Sequence, residues 1–322
     1  MRYITILLLV VIVAGCDQKK QQAEMAEATA EREVMAYSLG GEPFYEPERS
    51  DEVQDKLERN LAASRAAYEA EASEMNYIWL GRRTAYLSRY PEAIDIYSWG
   101  LGEYPESYKL YRHRGHRFIS VRKFDKAIVD LEKAAALMPT DTLETEPDGI
   151  PNKLNKPLSS TQFNVYYHLG LAYYLTGQYE KAIDAYKKCM KTSVNDDLEV
   201  ATADWMYMTF MRLGQRERAD SLLATIGSDM EIIENDSYYK RLQMYQGKLS
   251  PEEVLSVNEH SADHDLALAT QGYGVGNYYI EQGDVARGIK ILEDVVAGDH
   301  WAAFGYIAAE ADLYHMEKPE IP

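Results

Sequence analysis

Between Ser107 and Phe124 the sequence carries six Lys or Arg and two His but no carboxylate, in a chain whose formal net charge is −18. Lys109, Arg112 and His116 stand at i, i+3 and i+7, a spacing that puts three side chains on one face of an α-helix. A guanidinium presents two parallel N–H donors, so the chemistry open to such a face is the grip of a carboxylate, either a partner's C-terminus or an acidic segment. A structural reading stands beside it: Arg114 and Arg117 pair with acids on neighbouring helices, and the rest is a solvated face.

Other constellations are less specific. Gly272-Tyr-Gly-Val-Gly276 has the look of a glycine-rich phosphate loop, but such a loop needs a strand before it and a helix after it, and these glycines fall inside a helical pattern. Glu259, His260, Asp263, His264 and Asp265 offer potential metal ligands in a connecting segment, where the convergence and outer hydrogen bonds of a zinc site are not expected. His113, His168, His300 and His315 read as packing or surface residues, and Cys189 reads as a buried, inert thiol. The chain has no G-x-S-x-G, H-E-x-x-H or G-x-x-x-x-G-K-[ST] motif. We expect no catalytic residues, no metal and no cofactor.

Helices must position these residues. The 322 residues are 46% hydrophobic and 27% charged, an ordinary globular balance, with 26 Tyr against 6 Phe. A repeat is legible: Ala93, Ala127, Ala182 and Ala219 are followed four residues later by Tyr97, Leu131, Tyr186 and Leu223, and Gly81, Gly115 and Gly170 lie twelve residues before the first three. Pro105 and Pro139 close the first two units. Small residues at these places let two antiparallel helices cross closely, and stacked units bury a stripe that no single unit can hide. The pattern resembles the tetratricopeptide repeat. That resemblance implies an all-α, right-handed superhelical solenoid over 74–322, with units at about 74–107, 108–141, 163–196, 200–233, 234–267 (degenerate) and 269–299, and a capping helix at 301–314. It also implies that the first helix of each unit lines a concave groove. The groove positions are then Arg82, Lys109, Arg112, His116, Asn164, Tyr167, Leu171, Tyr174, Asp204, Met208, Tyr273 and Asn277. Of these, Arg82, Lys109, Arg112, His116, Asn164, Tyr167, Tyr174 and Asn277 are the expected partner-binding residues, with Tyr167 and Tyr174 forming an apolar ledge with polar tips.

The first sixteen residues, MRYITILLLVVIVAGC, comprise Arg2, an apolar run too short for a span of roughly 20 residues, and two small residues before Cys16. This resembles the lipobox of bacterial lipoproteins. The resemblance implies removal of residues 1–15 and lipid on Cys16, hence a protein held to a membrane of the cell envelope, facing the periplasm or the cell surface. Which membrane stays open. With Cys16 at the end of the apolar run and implied to carry lipid, Cys189 is left alone, so no disulfide is expected. Residues 16–49 read as a lipidated Cys and flexible tether, and 50–73 as a helix capped by Ser50.

Residues 140–162, TDTLETEPDGIPNKLNKPLSSTQ, are long for a helix–helix connection. Either they are a tolerated insertion or they fold over the binding face. The strong acidity argues against nucleic acid as a partner. The expected function is a membrane-anchored scaffold or adaptor that binds a peptide or an extended partner segment; the alternative is a binding protein for a glycan or peptidoglycan fragment.

Overall fold

The computed structural model describes residues 33–256 and 264–317, the side chains of 264 and 265 excepted. The expected signal segment, Cys16 and residues 17–32 lie outside the described residues, as do Glu259, His260 and Asp263. The chain divides into units Met1–Val34 and Met35–Pro322, and the description concerns the second together with the strand that crosses the boundary.

The described residues form fourteen helices and one two-stranded sheet, an all-α solenoid of helical hairpins. Ser50 caps α1 (Asp51–Ala70), its side chain accepting from the Val53 N–H. The hairpins follow in order: α2 (Glu74–Tyr86) with α3 (Tyr90–Glu103), α4 (Tyr108–Ser120) with α5 (Phe124–Leu137), α6 (Thr161–Leu175) with α7 (Tyr179–Lys191), and α8 (Asp196–Arg212) with α9 (Arg216–Leu223). A short pair, α10 (Asp236–Tyr245) and α11 (Pro251–Leu255), precedes α12 (His264–Glu281), α13 (Val285–Val296) and α14 (Phe304–Glu317).

The repeat glycines are where helices meet. A Cβ on Gly81 would lie 2.3 Å from the Tyr97 ring, one on Gly115 2.8 Å from Leu131, and one on Gly170 2.5 Å from Tyr186. The small residue of the first helix thus receives the large residue of the second. In the fourth hairpin Tyr207 replaces the glycine and stacks on Tyr245 of α10 at 4.3 Å between ring centroids.

Two features depart from an open coil on a loose tether. Residues 34–45, expected within the tether, form a hairpin of β1 (Val34–Tyr37) and β2 (Pro43–Tyr45), with Gly41 at φ +94° in the turn. Met35 and Ala36 are buried, Phe44 stacks on Trp301 at 5.0 Å, and the Trp301 Nε1–H donates to the Tyr45 carbonyl at 2.9 Å. The apolar runs either side of Gly40-Gly41 have surface to bury, which a tether lacks. The second feature is α14, which packs on α12, α13 and α6. Glu310 of α14 accepts from Arg122 after α4 at 2.6 Å, and that guanidinium also donates to the Trp301 carbonyl. The C-terminal helix therefore reaches back to the second and third hairpins. No described helix is long and apolar enough to cross a membrane.

Candidate functional site

The site begins at α4. Ser107 caps it, accepting from the Leu110 N–H at 3.0 Å, and the helix carries Lys109, Arg112 and His116 along one face. That face meets the 140–162 segment, which folds over it. Glu144 pairs with Lys109 at 2.5 Å and also accepts from the Tyr108 hydroxyl. These two donors hold its carboxyl below the usual range, against the opposing effect of burial. Glu146 pairs with Arg112 at 2.9 Å, each side chain about nine-tenths buried. Arg82 donates to the Pro147 carbonyl at 2.8 Å and Arg83 to the Gly149 carbonyl at 3.0 Å. A Cβ on Gly149 would fall 1.5 Å from the Tyr86 hydroxyl, so glycine lets this strap over α4 pass close by, and a larger residue would require the ends of the Tyr86 and Arg82 side chains to move.

The strap is tied at its neck. Gln162 donates to the carbonyls of Pro139 and Thr142 and accepts from the Glu144 N–H. Thr145 and Ser160 form an antiparallel bridge. At the far end Asn152 closes a turn onto Lys156 and reaches Glu234 at 2.6 Å. Of the two sequence readings of 140–162, the segment folds over the basic face.

The structural reading of the neighbouring arginines holds for one of them. Arg114 grips Asp130 with Nε and a terminal nitrogen at 2.7 and 2.8 Å. Arg117 has no carboxylate partner among the described residues; it donates to His116 and lies over the Tyr90 ring at 5.1 Å.

His116 and His168 lie 4.2 Å apart, against Phe304 of α14. Burial first, then the guanidiniums of Arg112 and Arg117, hold both imidazoles well below their usual pKa, and His113 behaves likewise. All three are therefore neutral at pH 7. His113 Nδ1 and His116 Nε2 accept from Arg112 and Arg117, and His168 Nδ1 donates to the Asn164 carbonyl.

The remaining groove residues are a correction. Tyr167, Tyr174 and Asn277, expected to face a partner, are buried. The Tyr167 hydroxyl donates to Tyr238 at 3.1 Å and accepts from Trp205 Nε1 at 2.8 Å. The Tyr174 and Tyr273 hydroxyls meet at 2.6 Å, and Asn277 accepts from Arg212, which also pairs with Asp312. The physical reason is that α10, α12 and α14 fold onto this side and spend its polar groups on one another. Asn164 stays half-buried and bonds Ser159. Leu171, Asp204 and Met208 are wholly buried, Asp204 pairing with Arg241 at 2.8 Å.

Gly272, Gly274 and Gly276 are packing residues: a Cβ on each would come within 2.5 Å of Val295, 2.1 Å of Arg241 and 2.6 Å of Leu292. Cys189 is buried beside Thr202, and burial raises its thiol pKa, which disfavours the reactive thiolate. No group of metal-ligating side chains occurs among the described residues. Sequence reasoning missed the strap's acids as partners of α4; the alternation Glu144-Thr-Glu146-Pro-Asp148 was the available signal.

The tetratricopeptide repeat family matches residues 163–193, the hairpin of α6 and α7. No curated protein matches the chain by sequence. Among solved structures the chain is similar to a tetratricopeptide repeat protein from Parabacteroides merdae, at 14% identity, covering 81% of this chain and 94% of that one with a TM-score of 0.47. It is also similar to YrrB, described as a TPR protein with an unusual peptide-binding site, at 15% identity, 76% and 97% coverage and a TM-score of 0.41. A MamA protein (AMB-1) is similar at 19% identity, 53% and 88% coverage and a TM-score of 0.40.

Proposed function

We propose that the protein is a lipid-anchored interaction scaffold of the bacterial cell envelope, and that the α4 face takes an extended acidic segment of a protein partner. The supporting observation is the strap itself. Glu144, Glu146 and Asp148 stand at alternate positions, and in an extended chain alternate side chains share a side. Glu144 and Glu146 pair with Lys109 and Arg112, while the Arg82 charge acts on Asp148. The carbonyls taken by Arg82 and Arg83 are contacts that any extended chain could supply. A partner segment with the same charge spacing would replace the strap. It competes with a tethered segment present at roughly millimolar effective concentration, so free peptide is excluded while the strap is seated. The burial of Tyr167 and Tyr174 removes the ledge on which a glycan would stack.

The test replaces residues 141–158 with a short Gly/Ser linker, which the proximity of Gln162 to the Pro139 carbonyl allows. A fluorescent peptide of sequence LETEPDG should bind this variant and not the wild type. Arg112→Glu in the same background should abolish binding, as should Gln in place of the peptide's acids. A strapless protein that is folded by circular dichroism yet ignores the peptide sinks the proposal. For the anchor, Cys16→Ser should move the protein from the membrane to the soluble fraction, with loss of the lipid mass. A wild-type protein that is soluble with an unmodified thiol would show the anchor to be wrong.

A further inference from the structure

Beneath the strap lies a cavity of about 110 Å³, partly open to solvent, lined by Arg82, Arg112, Arg117, His113, His116 and Glu146 among others. At about 30 Å³ per water in the liquid, that is room for a few waters or one small ion. Three guanidiniums face it against one carboxylate, with Asp148 adding charge beside Arg82 from outside the lining. The two imidazoles contribute no charge, and each already accepts from an arginine.

Two buried atoms of the lining residues have no hydrogen-bond partner among the described residues: Arg112 Nε, a donor, and Glu146 Oε2, an acceptor; Asp148 Oδ2, outside the lining, is a further buried acceptor without one. Arg112 is 7% exposed, its terminal nitrogens contact His113 and Glu146 with one donor each to spare, and Nε is its nitrogen without a partner. Such groups are costly to leave unpaired, and an anion that satisfies both must accept from one and donate to the other. Sulfate and an ionised carboxylate only accept. Hydrogen phosphate accepts through its charged oxygens and donates through its P–O–H. A phosphate monoester ionises its last proton with a pKa of about 6, so at neutral pH it has largely lost that donor.

We propose that this cavity is a binding site for inorganic hydrogen phosphate, with Arg112, Arg117 and Arg82 holding the charged oxygens and Glu146 accepting from the P–O–H. The arrangement selects phosphate over sulfate as well as over phosphate esters. It goes beyond the scaffold reading and does not rest on it, because Glu146 belongs to the seated strap and the site exists only in the closed form.

Isothermal calorimetry on the intact protein at pH 7.5 tests it, with inorganic phosphate, sulfate and glycerol phosphate as probes. Phosphate should bind, and sulfate and glycerol phosphate should bind roughly tenfold more weakly or worse, the cost of one unmade bond to a charged acceptor. Arg117→Gln removes a cation that has no carboxylate partner among the described residues, so folding should survive while phosphate affinity falls roughly tenfold or more. Glu146→Gln, whose amide can donate, should bring phosphate and sulfate toward equal affinity. No heat with phosphate at millimolar concentration, or equal affinity for phosphate and sulfate in the wild type, overturns the proposal. Peptide binding by the strapless variant is unaffected by either outcome, so the two proposals fail separately.

Discussion

Arg241→Met should cost about 3–5 kcal/mol of folding stability, and Asp204→Leu in the same chain should restore most of it. Both side chains are fully buried and pair at 2.8 Å. The guanidinium also donates to the Thr270 carbonyl at 3.0 Å and lies among the rings of Trp205, Tyr238 and Tyr273. Burial pushes the Asp204 carboxyl up to about 7, against the pull of Arg241. Removing the arginine leaves an unpartnered acid in the core that must take up a proton to stay buried, whereas removing both leaves an apolar site of similar volume. The urea midpoint should fall steeply in each single variant and recover in the double, with a coupling energy above about 2 kcal/mol in the mutant cycle. A single variant that loses less than about 1 kcal/mol would show that water reaches the pair. The single Arg241→Met variant should also regain stability on acidification, because Asp204 is protonated when buried and ionised in the unfolded chain, and that proton uptake costs less at lower pH.

Mild acid should be the second large effect. His113, His116 and His168 have folded-state pKa values depressed by burial and by the neighbouring guanidiniums. Above about pH 6.5 each is neutral in both the folded and unfolded chain, and the full stability is present. Below it the unfolded chain takes up a proton that the folded chain refuses. Each imidazole then removes up to about 1.4 kcal/mol per pH unit until its folded pKa is reached. The charged groups around His113 and His116 are Arg82, Arg112 and Arg117, all cationic, with Glu146 the carboxylate at the same cavity, and those acting on His168 are Arg112 and Arg117. Asp204, with its raised pKa, works in the opposite direction by one proton, so the balance of three against one still runs against acid. Urea midpoints between pH 7.5 and 5.5 should therefore decline, and the decline should flatten in a triple His→Gln variant. A midpoint that is level across this range would place these imidazoles in contact with water.

By itself, the sequence determined the helical hairpins. Gly81, Gly115 and Gly170 paired with Tyr97, Leu131 and Tyr186 fix a close crossing wherever they occur, because the constraint is steric and local to one hairpin. It also exposed the basic character of α4, since charge excess is a matter of counting. Tertiary structure decided which face of the stack stays open. Tyr167, Tyr174 and Asn277 occupy groove positions by spacing, yet whether such a residue meets solvent depends on segments more than sixty residues away, whose arrival no local period encodes. The strap is the same case: Glu144 and Glu146 are ordinary surface acids until folding carries them onto Lys109 and Arg112. Local packing rules write the repeat; long-range closure chooses what the repeat is left to hold.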